Sequence, residues 1–167
     1  DLQANKITHG KAISLLNYYI NLYAKLDLID RPDMLHSMIL MQVLKIDKDW
    51  NRFLGFAKWW GVENFREDDL KPFKMENGKK MPSLYYRFYY RLGRALIAQY
   101  SNVNNEVKEW AENQLELILS QNKSDQWFRL YSCKLMLLKG DSEGALKSIK
   151  QIMKKKSREF WAWALLG

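Results

Sequence analysis

Three arginines, Arg87, Arg91 and Arg94, recur at spacings of four and three residues. At 100° per residue on an α-helix they fall within about 60° of one another and form a stripe along one side. Two tyrosines, Tyr86 and Tyr90, lie beside this stripe. Guanidinium groups bind carboxylates and phosphates, and tyrosine rings stack on bases or anchor a protein partner. The pattern predicts a site for an acidic protein or for nucleic acid, with a solvated helix face as the alternative.

The net charge of +8 is concentrated in two segments. Residues 71–94 contain seven basic residues (Lys or Arg) and one acidic residue, and residues 147–158 contain six basic residues and no acidic one. The rest of the chain has fourteen basic and eighteen acidic residues. The second segment includes Lys154, Lys155 and Lys156 at the end of a predicted helix, where cations complement the helix dipole. The same charges would attract nucleic acid through counterion release.

Residues that commonly perform catalysis or bind metals are few in this chain. Neither His9, expected at a helix start, nor His36, expected on a half-buried face, has a histidine or carboxylate four residues later to complete a metal pair. Cys133 lies in an apolar stretch, where a cysteine usually serves as a small hydrophobic residue. The acidic run Glu67-Asp68-Asp69 lacks the spacing of an EF-hand and fits a solvated loop or a helix N-terminus.

The usual entry points to enzyme chemistry are also missing from the sequence. It contains no phosphate-binding loop, nucleophile elbow or kinase motif, so we expect no enzyme activity, no metal and no cofactor. With 47% hydrophobic residues but only eight Gly and three Pro among 167 residues, the chain is expected to be all-α. The absence of a signal peptide or a long apolar run predicts a cytoplasmic location and no membrane partner.

The first sixty residues show three predicted helices. The first, at residues 6–28, has the apolar face Ala12, Leu15, Leu16, Tyr19, Ile20 and Tyr23. The second begins at Pro32, ends near residue 45 and has the face Leu35, Ile39, Gln42 or Val43, and Ile46. The third, at residues 48–60, ends at Gly61 and has the face Trp50, Phe53, Leu54, Phe56, Ala57 and Trp60. Trp59 points away from that face and is expected to pack under the following segment or to form part of a binding surface.

Residues 62–82 interrupt the helical pattern, and Asn77-Gly78 within them predicts a small β-hairpin or an ordered loop. Four complete helices are predicted after this insertion. Ser83 caps the first, which ends near residue 100, and the next covers residues 103–121. Ser124 and Gly140 bracket the third, and Asp141 caps the fourth, which ends near residue 156. A further helix begins near Arg158.

A spacing of 34 residues recurs in the C-terminal half: Trp127 recurs as Trp161, and Ala111-x3-Leu115-x2-Ile118 recurs as Ala145-x3-Ile149-x2-Ile152. The motifs Trp163-x2-Leu166-Gly167 and Tyr89-x2-Leu92-Gly93 accompany this period. Together these residues resemble tetratricopeptide repeats. The resemblance covers residues 83–167 and implies stacked antiparallel helix pairs, an α-solenoid, with a groove for a partner.

The stretch Trp59-Trp60-Gly61-Val62-Glu63-Asn64-Phe65-Arg66, with Pro72-Phe73, also resembles a segment of uncharacterised bacterial helical-repeat proteins, some of which accompany defence or mobile-element gene clusters. We expect one continuous domain with an N-terminal helical segment (1–61), an insertion (62–82) and repeats that are truncated at the C-terminus (83–167). The expected function is a non-catalytic scaffold that binds a protein or peptide partner, and acidic partners are among those expected. The alternative is a nucleic-acid-associated module of a multi-domain bacterial protein that uses segments 71–94 and 147–158. The oligomeric state is left open.

Overall fold

The computed structural model describes residues 9–26, 33–45 and 50–156, with only the backbone described for His9 and for residues 154–156. The expected all-α class is confirmed, because the described part of the chain consists of helices and one two-stranded sheet. The seven α-helices among the described residues are α1 (His9–Lys25), α2 (Met34–Val43), α3 (Phe53–Trp60), α4 (Leu84–Gln99), α5 (Asn105–Gln121), α6 (Gln126–Leu138) and α7 (Ser142–Lys156). The helix expected from Arg158, with Trp161 and the motif at 163–167, lies outside the described residues.

The predicted apolar faces of α1, α2 and α3 agree with the structure to different degrees. On α3 the expected face is buried throughout, and Gly61 ends the helix with φ of 80°. On α1, Leu16 and Tyr23 are buried, but Leu15 and Tyr19 are exposed. On α2 the expected Leu35 is exposed, and the buried residues are His36, Ser37, Ile39, Leu40 and Val43. The face of α2 is therefore rotated from the prediction, because Tyr23 and Trp60 hold the polar His36 ring inside the core.

The insertion at residues 62–82 contains two short 3₁₀ helices, Val62–Asn64 and Glu67–Leu70, followed by strands β1 (Phe73–Lys74) and β2 (Lys80–Met81). The strands pair antiparallel, with Phe73 opposite Met81, so the expected hairpin is confirmed. Its turn differs from a two-residue Asn-Gly turn. Gly78 has φ of 78°, whereas no described residue other than glycine has a positive φ. A three-residue loop that ends in a left-handed glycine fits this geometry.

Phe65 anchors the insertion to the helical core. Its ring contacts Trp60 of α3 with centroids 4.7 Å apart, and Tyr85 and Phe88 of α4 at 5.1 and 5.5 Å. Such edge-to-face contacts are favourable geometries for aromatic pairs. The segment between α3 and α4 is thus held by its own aromatic side chain.

Helices α4 to α7 follow the predicted order, and polar side chains cap each of them. Ser83 and Asp141 are the caps that the sequence predicted, with Oγ and Oδ1 accepting backbone N–H bonds of 3.1 and 2.8 Å. Asp125 caps α6 in place of the expected Ser124, since its Oδ1 accepts from the backbone N–H of residues 127 and 128. Asn104 caps α5 in the same way. These caps fix where each helix begins.

The packing of α4 to α7 depends on small residues at close helix contacts. Ala111 of α5 and Ala145 of α7, which are 34 residues apart, are both fully buried. A Cβ on Gly93 of α4 would lie 2.4 Å from the Tyr131 ring of α6, so only glycine fits there. Buried residues from α1 through α6 form one continuous core. No helix in the described part of the chain is long and apolar enough to cross a membrane.

Candidate anion-binding cleft

The arginine stripe of α4 lines a cleft of about 570 Å³ between α4, the end of α2, the hairpin and α6. Ser83 starts α4 so that the stripe faces this opening, while Phe88 and Leu92 on the other side enter the core. We name this feature the arginine cleft, and its lining residues are Leu44, Lys45, Met81, Pro82, Tyr86, Arg87, Tyr90, Arg91, Arg94 and Trp127.

Arg91 is buried, with 9% of its surface exposed, which disagrees at this residue with the alternative interpretation of the stripe as a solvated helix face. Its guanidinium carbon lies 5.2 Å from the centre of the Phe53 ring, so a cation–π contact from α3 covers it. The Phe53 ring also packs on Phe88, with centroids 6.2 Å apart. The periodicity of α4 alone could not show that Arg91 is buried, because the ring that covers it belongs to another helix. Arg91 is consequently held in place before any ligand enters.

The other cations of the cleft are more accessible. Arg87 is half-buried, and burial lowers the pKa of its guanidinium, which nevertheless stays protonated at all ordinary pH values. Arg94 and Lys45 are exposed at the rim. Among the described residues, no aspartate or glutamate lines the cleft. Four positive side chains therefore surround a partly desolvated space in which an anion would be attracted strongly.

The two tyrosines of the predicted site face α6 and are half-buried, where exposed rings were expected. The Tyr86 hydroxyl donates a 3.0 Å hydrogen bond to Oδ2 of Asp125, and burial together with that carboxylate raises the pKa of Tyr86. The Tyr90 ring packs edge-to-face on Trp127 and Tyr131, with centroids 5.8 and 5.6 Å apart. These tyrosines form one wall of the cleft and connect α4 to α6.

Several lining residues were not found from the sequence as parts of a site. Lys45 follows α2, Met81 ends the hairpin and Pro82 follows it, so their proximity to the arginine stripe depends on the tertiary fold. Trp127 was expected to fill space between helices, and its ring also borders the cleft. No local pattern marks these four residues. The basic segment 71–94 was the only signal near them.

The remaining predicted binding residues lie elsewhere. Trp59 packs against Tyr23 of α1 and Phe56, with ring centroids 6.3 and 5.8 Å away, and lines a second cleft between α1, α3 and the α4–α5 connection. The aromatic residue of α3 that contacts Phe65 of the insertion is Trp60. Lys154, Lys155 and Lys156 belong to the last turn of α7, and their side chains lie outside the described residues.

His36 is a core residue, and not the half-buried one that the sequence suggested. Its ring stacks on Trp60 with centroids 4.5 Å apart. Nε2 donates to the Trp60 carbonyl oxygen at 2.9 Å, because that oxygen can only accept, and Nδ1 shares a hydrogen bond of 3.0 Å with the Tyr23 hydroxyl. These bonds give the imidazole a structural role in joining α1, α2 and α3.

The acidic run after α3 is divided between the core and the surface. Asp69 is buried and accepts hydrogen bonds from Ser37 Oγ at 2.6 Å and from the Arg66 backbone N–H at 3.0 Å. Glu67 and Asp68 are exposed and lie within 4 Å of the Lys71 ammonium group. Asp69 thus attaches the insertion to α2, and its oxygens are occupied by protein donors.

Two further features bear on possible chemistry in the described residues. Cys133 is fully buried, and burial raises the pKa of its thiol, which disfavours the reactive thiolate. Within the same part of the chain, no group of three or more His, Cys, Asp or Glu side chains is arranged to hold a metal ion.

Comparison with known proteins gives one family match. Residues 126–167 match the family profile of a domain of unknown function, DUF7017. The match includes α6 and α7, whereas the arginine stripe of α4 lies before it. Neither the curated proteins nor the solved structures yielded a match to the chain.

Proposed function

We propose that this chain is a non-catalytic helical-repeat module whose arginine cleft binds an acidic segment of a protein partner. The observation that carries the proposal is the charge of the cleft, since Lys45, Arg87, Arg91 and Arg94 line it and none of the other described lining residues is a carboxylate. An acidic side chain entering this space would exchange water for charge-assisted hydrogen bonds, which are about twice as strong as neutral ones.

Burial of Arg91 supports a binding role for the cleft. A guanidinium that is already desolvated and fixed over Phe53 loses little further freedom when an anion binds. Arg87 and Arg94 lie one turn before and nearly one turn after it, so the cations extend over about 10 Å of α4. Such a row suits several carboxylates of one segment better than a single isolated anion.

The tetratricopeptide type of packing is part of the proposal. In its favour, Ala111 and Ala145 have the same burial on α5 and α7, and Gly93 of the Tyr89-x2-Leu92-Gly93 motif sits against Tyr131 of the next helix. Stacked helix pairs of this kind leave a groove in which peptides or helices bind. The cleft volume of about 570 Å³ is in the range of sites that enclose a few side chains.

A nucleic-acid-associated module is the second candidate. The observation in its favour is that Lys74, Lys79 and Lys80 are all exposed on the hairpin that leads into Met81 and the cleft. Against it, the rings of Tyr86 and Tyr90 are engaged with α6, so they are poorly placed to stack on bases. The acidic peptide is therefore the better-supported ligand.

The test is fluorescence anisotropy with two labelled probes, a peptide of alternating glutamate and alanine and a single-stranded oligothymidylate. The double variant Arg87→Gln/Arg94→Gln removes two cleft cations. The control Lys147→Gln/Lys150→Gln removes two exposed cations of α7, so both variants have the same net charge. With about 1–1.5 kcal/mol for each lost charge-assisted bond, the cleft variant should bind the peptide about 30- to 150-fold more weakly.

The control variant should stay within about threefold of the unmodified chain at moderate ionic strength, where distant exposed charges are largely screened. Equal losses in the two variants would mean that only net charge matters, which contradicts the proposal. Failure of the unmodified chain to bind the peptide contradicts it too. Tighter binding of the oligonucleotide, lost in the cleft variant, would select the nucleic-acid alternative.

A further inference from the structure

A second surface, on α1 and α2, is apolar and separate from the arginine cleft. It consists of six large side chains with 42–62% of their surface exposed, which are Tyr18, Tyr19, Leu22, Leu26, Leu35 and Met38. On α1 and at Leu26 directly after it, the residues recur at intervals of one, three and four, so they continue along one side of the helix. Between the two helices lies a groove of about 330 Å³, and none of the ten described residues that line it is charged.

The charge pattern of these helices differs from the rest of the chain. Along the whole of α1 and α2 the only Asp, Glu, Lys or Arg residues are Lys11 and Lys25, near the two ends of α1, and neither lines the groove. The cores of protein interfaces have this composition: they contain few charged residues and many aromatic and apolar side chains. Isolated exposed apolar residues are common, but a contiguous patch of this kind on two helices indicates a contact surface.

We propose that this α1–α2 surface pairs with the same surface of a second copy of the chain. Two copies with a net charge of +8 each repel one another, so self-association requires a face without cations, and this surface provides one. A two-fold axis would place the two helix pairs face to face as a four-helix packing, in which each copy contributes the same residues.

The available area agrees with a reversible dimer. At about 130 Å² for a Leu or Met side chain and about 200 Å² for a tyrosine, the exposed fractions of the six residues amount to about 470 Å² per copy. Two copies would then bury about 930 Å² from these side chains alone, which is in the size range of weak, reversible interfaces. We therefore expect a dissociation constant on the order of 10 μM.

The experiment is sedimentation equilibrium over a range of concentrations, from about 1 to about 200 μM, which brackets that constant. The chain has a mass of 19.9 kDa and should approach twice this value at the upper end. Leu22→Glu should remain monomeric, with association weakened at least about 100-fold by the desolvation of two carboxylates. The matched control is Leu117→Glu on α5, because Leu22 and Leu117 are both 46% exposed. This control should dimerise like the unmodified chain.

A second matched pair guards against misfolding of one variant. Met38→Glu on α2 and Leu146→Glu on α7 alter side chains that are both 42% exposed. Circular dichroism should show unchanged helicity in all four variants, and only the α1–α2 variants should lose the dimer. A monomer at every concentration, or equal loss in the paired controls, would overturn the proposal.

Salt distinguishes this contact from binding in the arginine cleft. Apolar association should persist or strengthen in added sulfate, whereas an ionic contact would weaken. The Arg87→Gln/Arg94→Gln variant should dimerise normally, so the dimer and the anion-binding function can fail independently. A dimer that dissociates in salt and in that variant would contradict the α1–α2 surface as its site.

Discussion

Replacement of Gly93 by alanine tests the contact of α4 with α6, on which the wall of the arginine cleft depends. A Cβ at Gly93 would lie 2.4 Å from Cδ2, 2.8 Å from Cγ and 3.0 Å from Cε2 of Tyr131. That ring is buried and packs on Tyr90, so it has no free space into which to rotate. The new methyl group must therefore push Tyr131 and α6 away from α4.

The size of the effect follows from two opposing terms. Overpacking a core contact costs about 1–3 kcal/mol, while replacing a glycine inside a helix by alanine gains about 1 kcal/mol. We expect Gly93→Ala to lower the free energy of unfolding by about 1 kcal/mol, and by at most about 2. Gly55→Ala is the control, because Gly55 lies inside α3 and a Cβ there meets nothing within 4 Å. It should raise the free energy of unfolding by about 0.5–1 kcal/mol.

Urea unfolding followed by circular dichroism measures both changes on one scale. The two alanine variants should differ by about 1.5–3 kcal/mol, with opposite signs relative to the unmodified chain. In a Tyr131→Ala background the Gly93 substitution should become stabilising, since the obstructing ring is gone. If Gly93→Ala stabilises the unmodified chain as much as Gly55→Ala does, the close approach of α4 and α6 is refuted.

Two further predictions concern buried ionisable groups. Burial raises the pKa of Tyr89 and Tyr131 above the unfolded value of 10.0, so above that pH the unfolded chain binds fewer protons and stability falls, by up to about 1.4 kcal/mol per pH unit for each tyrosine. Tyrosinate absorbance and helicity should then change together for these two residues, and full tyrosinate absorbance in a folded chain would contradict this. Asp69→Ala should lower the free energy of unfolding in urea by about 2–4 kcal/mol, because buried donors lose their acceptor. Asp68→Ala, at an exposed neighbour, should change it by less than about 0.5 kcal/mol, and equal effects would show that Asp69 does not hold the insertion.

Apolar periodicity predicted the positions of the helices well. It predicted which side of a helix is buried only where other elements surround that helix. On α3 every predicted face residue is buried, because α4, α5 and the insertion pack around that helix. On α1 and α2 the same reasoning fails at Tyr19 and Leu35, which lie on the outer side of the helix pair. A single sequence gives the apolar side of a helix, but the identity of the covering element depends on the tertiary arrangement. The apolar residues that stay exposed on α1 and α2 form the proposed dimer contact.

Local signals were strongest where one side chain acts on its own backbone. Ser83 and Asp141 cap the helices that they were expected to cap, because an N-cap oxygen needs only the next few backbone N–H groups. Ser124 was expected to start α6, but the adjacent Asp125 is the residue that caps it. At the hairpin, Gly78 alone adopts the left-handed conformation that the Asn-Gly pair suggested.

The arginine cleft shows why a binding site is harder to derive than the helix that carries it. The spacing of the arginines correctly placed them on one side of α4, but Lys45, Trp127 and the Phe53 ring come from three other parts of the fold. The contacts with these residues change the physical role of Arg91, because its guanidinium already loses its water when the chain folds. Binding of an anion then gains attraction without that cost, whereas the exposed Arg94 must still lose water and side-chain freedom. We propose on this reasoning that Arg91 provides affinity and that the outer cations select ligands by the spacing of the charges on the ligand.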